Sequence, residues 1–167
     1  DSDGEPMRLD RVDLGELVRS VVAAMSARAD HKHIDLGAVI SQSAVVQGDV
    51  SQLTVLLNNL VENALRYTPE GGTVDVRTEL RAGRPAMVVS DNGPGIAAAD
   101  RERVFERFVR GEQLQGEAGV NEGSGLGLAI VKAIALRHGA TVRLARADAC
   151  EGLAVTVEFP DPAGSHA

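Results

Sequence analysis

Three clusters of this chain carry side chains and backbone suited to chemistry. The first is Asn59 and Asn63, four residues apart, followed by Arg66 and Tyr67. The second is Asp91-Asn92-Gly93-Pro94-Gly95-Ile96, and the third is Gly123-Ser124-Gly125-Leu126-Gly127-Leu128. A glycine lets backbone amides approach a ligand closely and lets the chain take positive φ. The third cluster precedes a helical pattern, so its amides and the positive end of that helix suit phosphate oxygens. In the second cluster a carboxylate closes an apolar run. There it could accept from an exocyclic amine such as that of adenine, although Asn-Gly-Pro-Gly would equally make a plain turn. The paired asparagines offer amide oxygens of the kind Mg²⁺ takes beside phosphates and water. Asparagine is also a poor helix former, so two on one helical flank want an explanation; the bland one is a pair of solvated amides. Taken together the clusters read as a nucleotide pocket assembled from separate segments, with ATP the expected ligand.

Other chemistries fit less well. The dinucleotide fingerprint wants a strand immediately before its glycines, and here a polar stretch precedes them. No Gly-Lys-Ser/Thr follows, which excludes a P-loop. His31 and His33 lie in a polar connector, His138 at a helix end and His166 in the tail, none with zinc-ligand spacing, so solvated or capping roles are expected. A formal net charge of −7 and 2% aromatic residues argue against a nucleic-acid surface, which needs clustered cations and stacking rings. With Cys150 as the sole cysteine, no disulfide can form within the chain, and a reducing compartment is expected. No apolar run reaches the ~18 residues of a membrane span and no signal peptide is seen.

The elements that must position these clusters follow from periodicity. Residues 1–8 read as a frayed end, and 1–12 as a tail or linker before a domain over 13–160. Leu14, Leu17, Val18, Val21 and Val22 recur at helical spacing, predicting a helix over 13–29 capped by Asp13. Strands are expected over 33–40 and 44–47. Asp49 then opens a helix with Gln52 as capping-box partner, buried through Leu53, Leu56, Leu57, Leu60, Val61 and Ala64. At 100° per residue, Asn59, Asn63 and Arg66 fall within roughly 60° of each other on a flank of that stripe. Strands over 73–80 and 86–90 flank a turn at Arg84-Pro85; a short helix covers 100–108. Residues 109–122 are hydrophilic and aperiodic, a loop long enough to be functional. A helix over 125–138, with Leu126, Ala129, Ile130, Ala133, Ile134 and Arg137 at helical spacing, stops at Gly139; strands over 141–145 and 153–159 complete the set. The pattern is an α/β two-layer sandwich, a mixed, mostly antiparallel sheet of about five strands on three helices, followed by a tail over 161–167.

In order and spacing these residues resemble a known family. Asn59-Leu60-Val61-Glu62-Asn63-Ala64-Leu65-Arg66-Tyr67-Thr68-Pro69 is similar to the N box of sensor histidine kinases. Asp91–Ile96 resembles their G1 box, Val104-Phe105-Glu106-Arg107-Phe108 with Arg110 their F box, and Gly123–Leu128 their G2 box. The resemblance implies the Bergerat ATP-binding sandwich shared with gyrase-, Hsp90- and MutL-type proteins. It implies that Asn63 coordinates Mg²⁺ on the ATP phosphates, supported by Asn59, and that Arg66 meets phosphate charge. Tyr67 would pack on adenine and Asp91 accept from its amino group, with Gly93, Gly95 and Ile96 shaping the base pocket. Gly123, Ser124, Gly125, Leu126, Gly127 and Leu128 would let a lid over 109–122 close on the phosphates. Phe105 and Phe108 would anchor that lid, and Arg110 is a candidate γ-phosphate contact.

Two departures from the family matter. ATP-hydrolysing relatives carry a glutamate four residues before the metal-binding asparagine, as general base. Here that position is Asn59, and Glu62 points about 100° away from Asn63. Slow self-hydrolysis is therefore expected. Before the last strand the family often has Gly-x-Gly-Thr, and here only Gly152 remains, in Glu151-Gly152-Leu153-Ala154. No histidine has the phosphoacceptor context, so the acceptor is expected on a dimerisation domain of the same parent, with a response regulator downstream. The parent would be an inner-membrane sensor holding this domain in the cytoplasm. Two alternatives stay open: a serine protein kinase of the same fold, and a nucleotide-sensing module without phosphotransfer.

Overall fold

The computed structural model describes residues 8–40, 44–91, 124–146 and 153–161. In chain order the elements are β1 (Asp10–Asp13), α1 (Leu14–His31), β2 (Asp35–Ile40), β3 (Val45–Gly48), α2 (Val50–Tyr67), β4 (Thr73–Arg81), β5 (Arg84–Asp91), α3 (Ser124–Arg137), β6 (Thr141–Arg146) and β7 (Leu153–Glu158). Five strands form one sheet in the order β2-β4-β5-β7-β6. Only β2 and β4 run parallel, since the α2 crossover separates them; the other neighbours are antiparallel. One face carries Val74, Val76, Met87, Val89, Val155 and Val157, which join the buried sides of the three described helices in one core. The expected two-layer sandwich is what forms.

Helix α2 is the centre of that core. Leu53, Leu56, Leu57, Leu60, Val61 and Ala64 are all buried, as their 3.6-residue spacing requires. Asp49 caps its start by accepting from the Ser51 and Gln52 amides. The expected capping box is only half made. Asp49 N–H donates instead to Nε2 of His138, 3.1 Å away at the end of α3. His138 Nδ1 contacts the Ile134 carbonyl at 2.9 Å, so the ring is the Nδ1–H tautomer, donating through one nitrogen and accepting through the other. His138 is buried rather than solvated, edge-on to Phe159. Its approach depends on Gly48, where a Cβ would lie 2.9 Å from His138 Cδ2 and 3.0 Å from Leu53 Cδ1.

Partial burial alone would raise the Asp49 carboxyl. The amides of Gln52, Arg8 and Ser51, with His138 nearby, outweigh it and hold the group below its ordinary value. A depressed carboxylate contributes stability above its unfolded pKa and loses it as pH falls through the folded value. Asp49→Ala should therefore cost about 1 kcal/mol at neutral pH, with the difference from wild type shrinking as pH falls through the lowered carboxyl pKa of the folded protein. Thermal melts from pH 7 to pH 2 would check this; a gap that persists in acid would contradict it.

Several element ends differ from expectation for local reasons. Helix α1 runs past residue 29 because a Schellman ending uses the next turn. Ile34 N–H reaches Ala29 O and His33 N–H reaches Asp30 O, with His33 at φ 57°. A similar ending closes α3 at Gly139, φ 68°, as expected. The β4–β5 turn is Ala82-Gly83, φ 54° and 84°, the pair of positive values that a two-residue hairpin favours. Pro85 therefore sits inside β5, near its start, where its carbonyl accepts from Phe159 N–H. β1 was not foreseen: it pairs antiparallel with β3 through four residues, of which only Val12 is buried. On α3 the buried face is Val131, Ile134, Ala135 and His138, while Ala129, Ile130 and Ala133 are exposed.

Candidate functional site

The N-box residues leave α2 on the flank predicted, but with unequal surroundings. Asn63 is 4% exposed and no side-chain hydrogen bond joins it to another described residue. Its amide oxygen is a hard donor of the kind that Mg²⁺ takes. Asn59, half-buried, turns its amide nitrogen back onto the Val55 carbonyl at 2.9 Å, which leaves its oxygen free of that bond. Arg66 is exposed and has no carboxylate partner among the described residues. Tyr67 packs its ring against the core.

Asp91 closes β5. Register places it opposite Val74, so strand alternation puts it on the face of Val89 and Met87, toward the helices. It is half-buried. α2 packs on β5, the strand that Asp91 closes, and against α3. α3 begins at Ser124, one residue before the expected start, with Gly125 and Gly127 in its first turn. First-turn amides have no intrahelical acceptor and remain available as donors to an anion. For Ser124 to Leu128 only the backbone is described. Gly93, Gly95, Ile96, Phe105, Phe108, Arg110, Gly123, the helix over 100–108 and the lid over 109–122 lie outside the described residues.

Glu62 is turned away from this side, as its angular position required. Arg28 of α1 pairs with it across the helix–helix contact. Among the described residues no group of three or more His, Cys, Asp or Glu could hold a metal ion. A cation here would therefore lean on the Asn63 amide, with ligand oxygens and water completing its shell, a set that suits Mg²⁺. An open groove of about 740 Å³ lies elsewhere, lined by Ala24, Ala27, Arg28, His31, Lys32 and Glu70, none of them an expected site residue. No described helix is long and apolar enough to cross a membrane.

Sequence reasoning missed two residues that hold this geometry, His138 and Lys32. The first fixes α3 to the start of α2, as above. Lys32 donates from Nζ to the carbonyls of Leu65 and Arg66, at 2.8 and 3.0 Å. Neither contact has a local signal, because the partners are 89 and 33–34 residues away. Only the bare carbonyls implied by Pro69 hint at the second.

Residues 48–163 match the model of histidine kinase-, DNA gyrase B- and HSP90-like ATPases. The chain belongs to that family, and its likeness within the family is to the catalytic ATP-binding domains of sensor histidine kinases. It is 39% identical over 133 residues, 80% of its length, to the sensor-like histidine kinase SenX3 of Mycobacterium bovis. It spans about a third of that relative, 32%. The solved structure of the mycobacterial sensor histidine kinase MprB superposes with a TM-score of 0.66 and 32% identity, covering 92% of this chain and 97% of that one. Full-length ShkA in complex with AMPPNP superposes at 0.70 and 32% identity, over 93% of this chain and 31% of that one.

Proposed function

We propose that this domain binds Mg-ATP and transfers the γ-phosphate to a histidine on a phosphoacceptor domain of the same parent protein. Supporting this reading is the Asn63 side chain, 4% exposed and hydrogen-bonded to no other described residue, on the α2 flank that it shares with Asn59 and Arg66. Asn63 would hold Mg²⁺, with Asn59 beside it; the ion would neutralise charge on the phosphates. Arg66, and Arg110 from the lid, would meet phosphate oxygens, and the glycine-rich first turn of α3 would offer amides. Asp91 would accept from the adenine amino group, with Tyr67 against the ring and Gly93, Gly95 and Ile96 around it.

A neutral imidazole nitrogen of the partner histidine attacks the γ-phosphorus. As the N–P bond forms, the bond to the β-phosphate oxygen breaks and ADP leaves. The ring's other N–H gives up its proton to water. The domain's part is to align and to neutralise charge. With an amide at residue 59 and Glu62 engaged by Arg28, no carboxylate among the described residues of this flank is placed to activate water. ATP is thereby kept for the histidine. The phosphate would then pass to a response regulator's aspartate. The parent would be an inner-membrane sensor with this domain in the cytoplasm, a reading supported by its relatives' sensor names.

The test supplies the parent's phosphoacceptor segment with γ-labelled ATP. Acid-labile, base-stable label on that segment is expected, with little phosphate released when it is omitted. Acid-stable label would indicate a serine kinase, nucleotide binding without transfer a sensing module, and fast release without acceptor a hydrolase.

A further inference from the structure

The last turn of α2 runs into Pro69, which has no N–H to offer the carbonyl of Leu65 four residues earlier. Helix C-termini leave such carbonyls without partners. Here the missing donors come from another helix: the Lys32 ammonium sits 2.8 Å from Leu65 O and 3.0 Å from Arg66 O. A cation at this end also suits the helix dipole. The Schellman ending of α1 fixes where Lys32 stands, and its neighbours add ties to the same region. Arg28 pairs with Glu62, His33 with Glu70, and Gly71 N–H donates to His33 O. The junction is therefore built around the backbone of Leu65 and Arg66.

Its electrostatics are unbalanced. Burial first, and the Arg66 charge second, lower the Lys32 pKa, with Glu70 acting the other way. Arg66 itself has no carboxylate partner among the described residues. Two cations held near one another attract an anion to the exposed one.

We propose that Lys32 is a positioning residue for nucleotide phosphate. By holding the Leu65 and Arg66 carbonyls it fixes the turn that projects Arg66, so the guanidinium meets phosphate with little ordering left to do. This rests on the reading of Arg66 as a phosphate contact. Tyr67 is packed against the core, so the base side of the site is held independently.

The experiment displaces a fluorescent ATP analogue from the protein with Mg-ATP and, separately, with adenosine. It uses wild type, Lys32→Met, Lys32→Arg, Arg66→Ala and the Lys32→Met/Arg66→Ala double variant. Lys32→Met keeps the aliphatic stem and removes the donors. It should weaken ATP by roughly five- to tenfold, the ordering cost of one long side chain, and leave adenosine within about twofold. Lys32→Arg, which can still donate to carbonyls, should recover most of the loss. With Arg66 already removed, Lys32→Met should add less than about twofold. An equal loss in the Arg66→Ala background, an equal loss for adenosine, or no loss at all would overturn the role, as would an Arg66→Ala variant that binds ATP normally. Adenosine binding reports that each variant is folded. Wild type that fails to bind ATP at all would instead sink the nucleotide reading, and the Lys32 role with it.

Discussion

Asn63→Ala should lower Mg-ATP affinity by at least roughly 100-fold, about 2.7 kcal/mol, while changing the stability of the domain little. The two halves of this expectation come from one fact. The amide is 4% exposed and hydrogen-bonded to no other described residue, so its removal breaks no such bond. Removing a partner of a metal shell commonly costs 10–100-fold even one layer out, and a direct ligand should cost more. Truncating the side chain leaves only a small cavity, so the change in stability should be small. Calorimetry with Mg-ATP, repeated without magnesium, measures the first half; a thermal melt measures the second. If affinity falls equally with and without magnesium, the asparagine holds phosphate or structure rather than metal. Unchanged Mg-ATP affinity would remove the metal role outright.

What the sequence made legible, and what it did not, divides along the distance over which a residue is determined. α2 could be read because its buried stripe is a local property: each leucine is placed by those three and four residues away. Gly139 was equally legible, because the αL ending needs a residue tolerant of positive φ. His33 takes the same conformation at the end of α1 without being glycine, so that helix was read as ending early. β1 has a single buried side chain and owes its strand geometry to pairing with β3, some 35 residues on. The glycines at 125 and 127 were legible as the start of a helix, which begins one residue earlier than expected.

The same division holds for the site. The flank shared by Asn59, Asn63 and Arg66 is helical arithmetic. The seating of Glu62 on Arg28 followed in direction from its angular position, yet its partner lies on another helix. His138 illustrates the limit. By composition and position it is a helix-end histidine, and only the fold reveals its ring accepting the Asp49 amide that Gln52 was expected to satisfy. That bond fixes the far end of α3 to the start of α2.

Asp91→Asn should weaken ATP by roughly 10–100-fold and collapse the preference for ATP over GTP. A carboxylate can only accept, and adenine presents an amino donor where guanine presents a carbonyl acceptor. Against guanine, Asp91 would therefore set two acceptors face to face, a repulsion that discriminates more sharply than a missing contact does. Asparagine keeps one acceptor oxygen and adds an amino group, so it binds adenine less well and guanine better. Strand register makes the position stiff: Asp91 is opposite Val74, on the helix-side face of a central strand, and has little freedom to turn toward solvent. Competition by ATP and GTP against a fluorescent nucleotide gives the ratio directly, with a melt to account for contacts Asp91 makes in the free protein. A ratio that stays at the wild-type value in Asp91→Asn would mean that adenine is chosen elsewhere in the pocket.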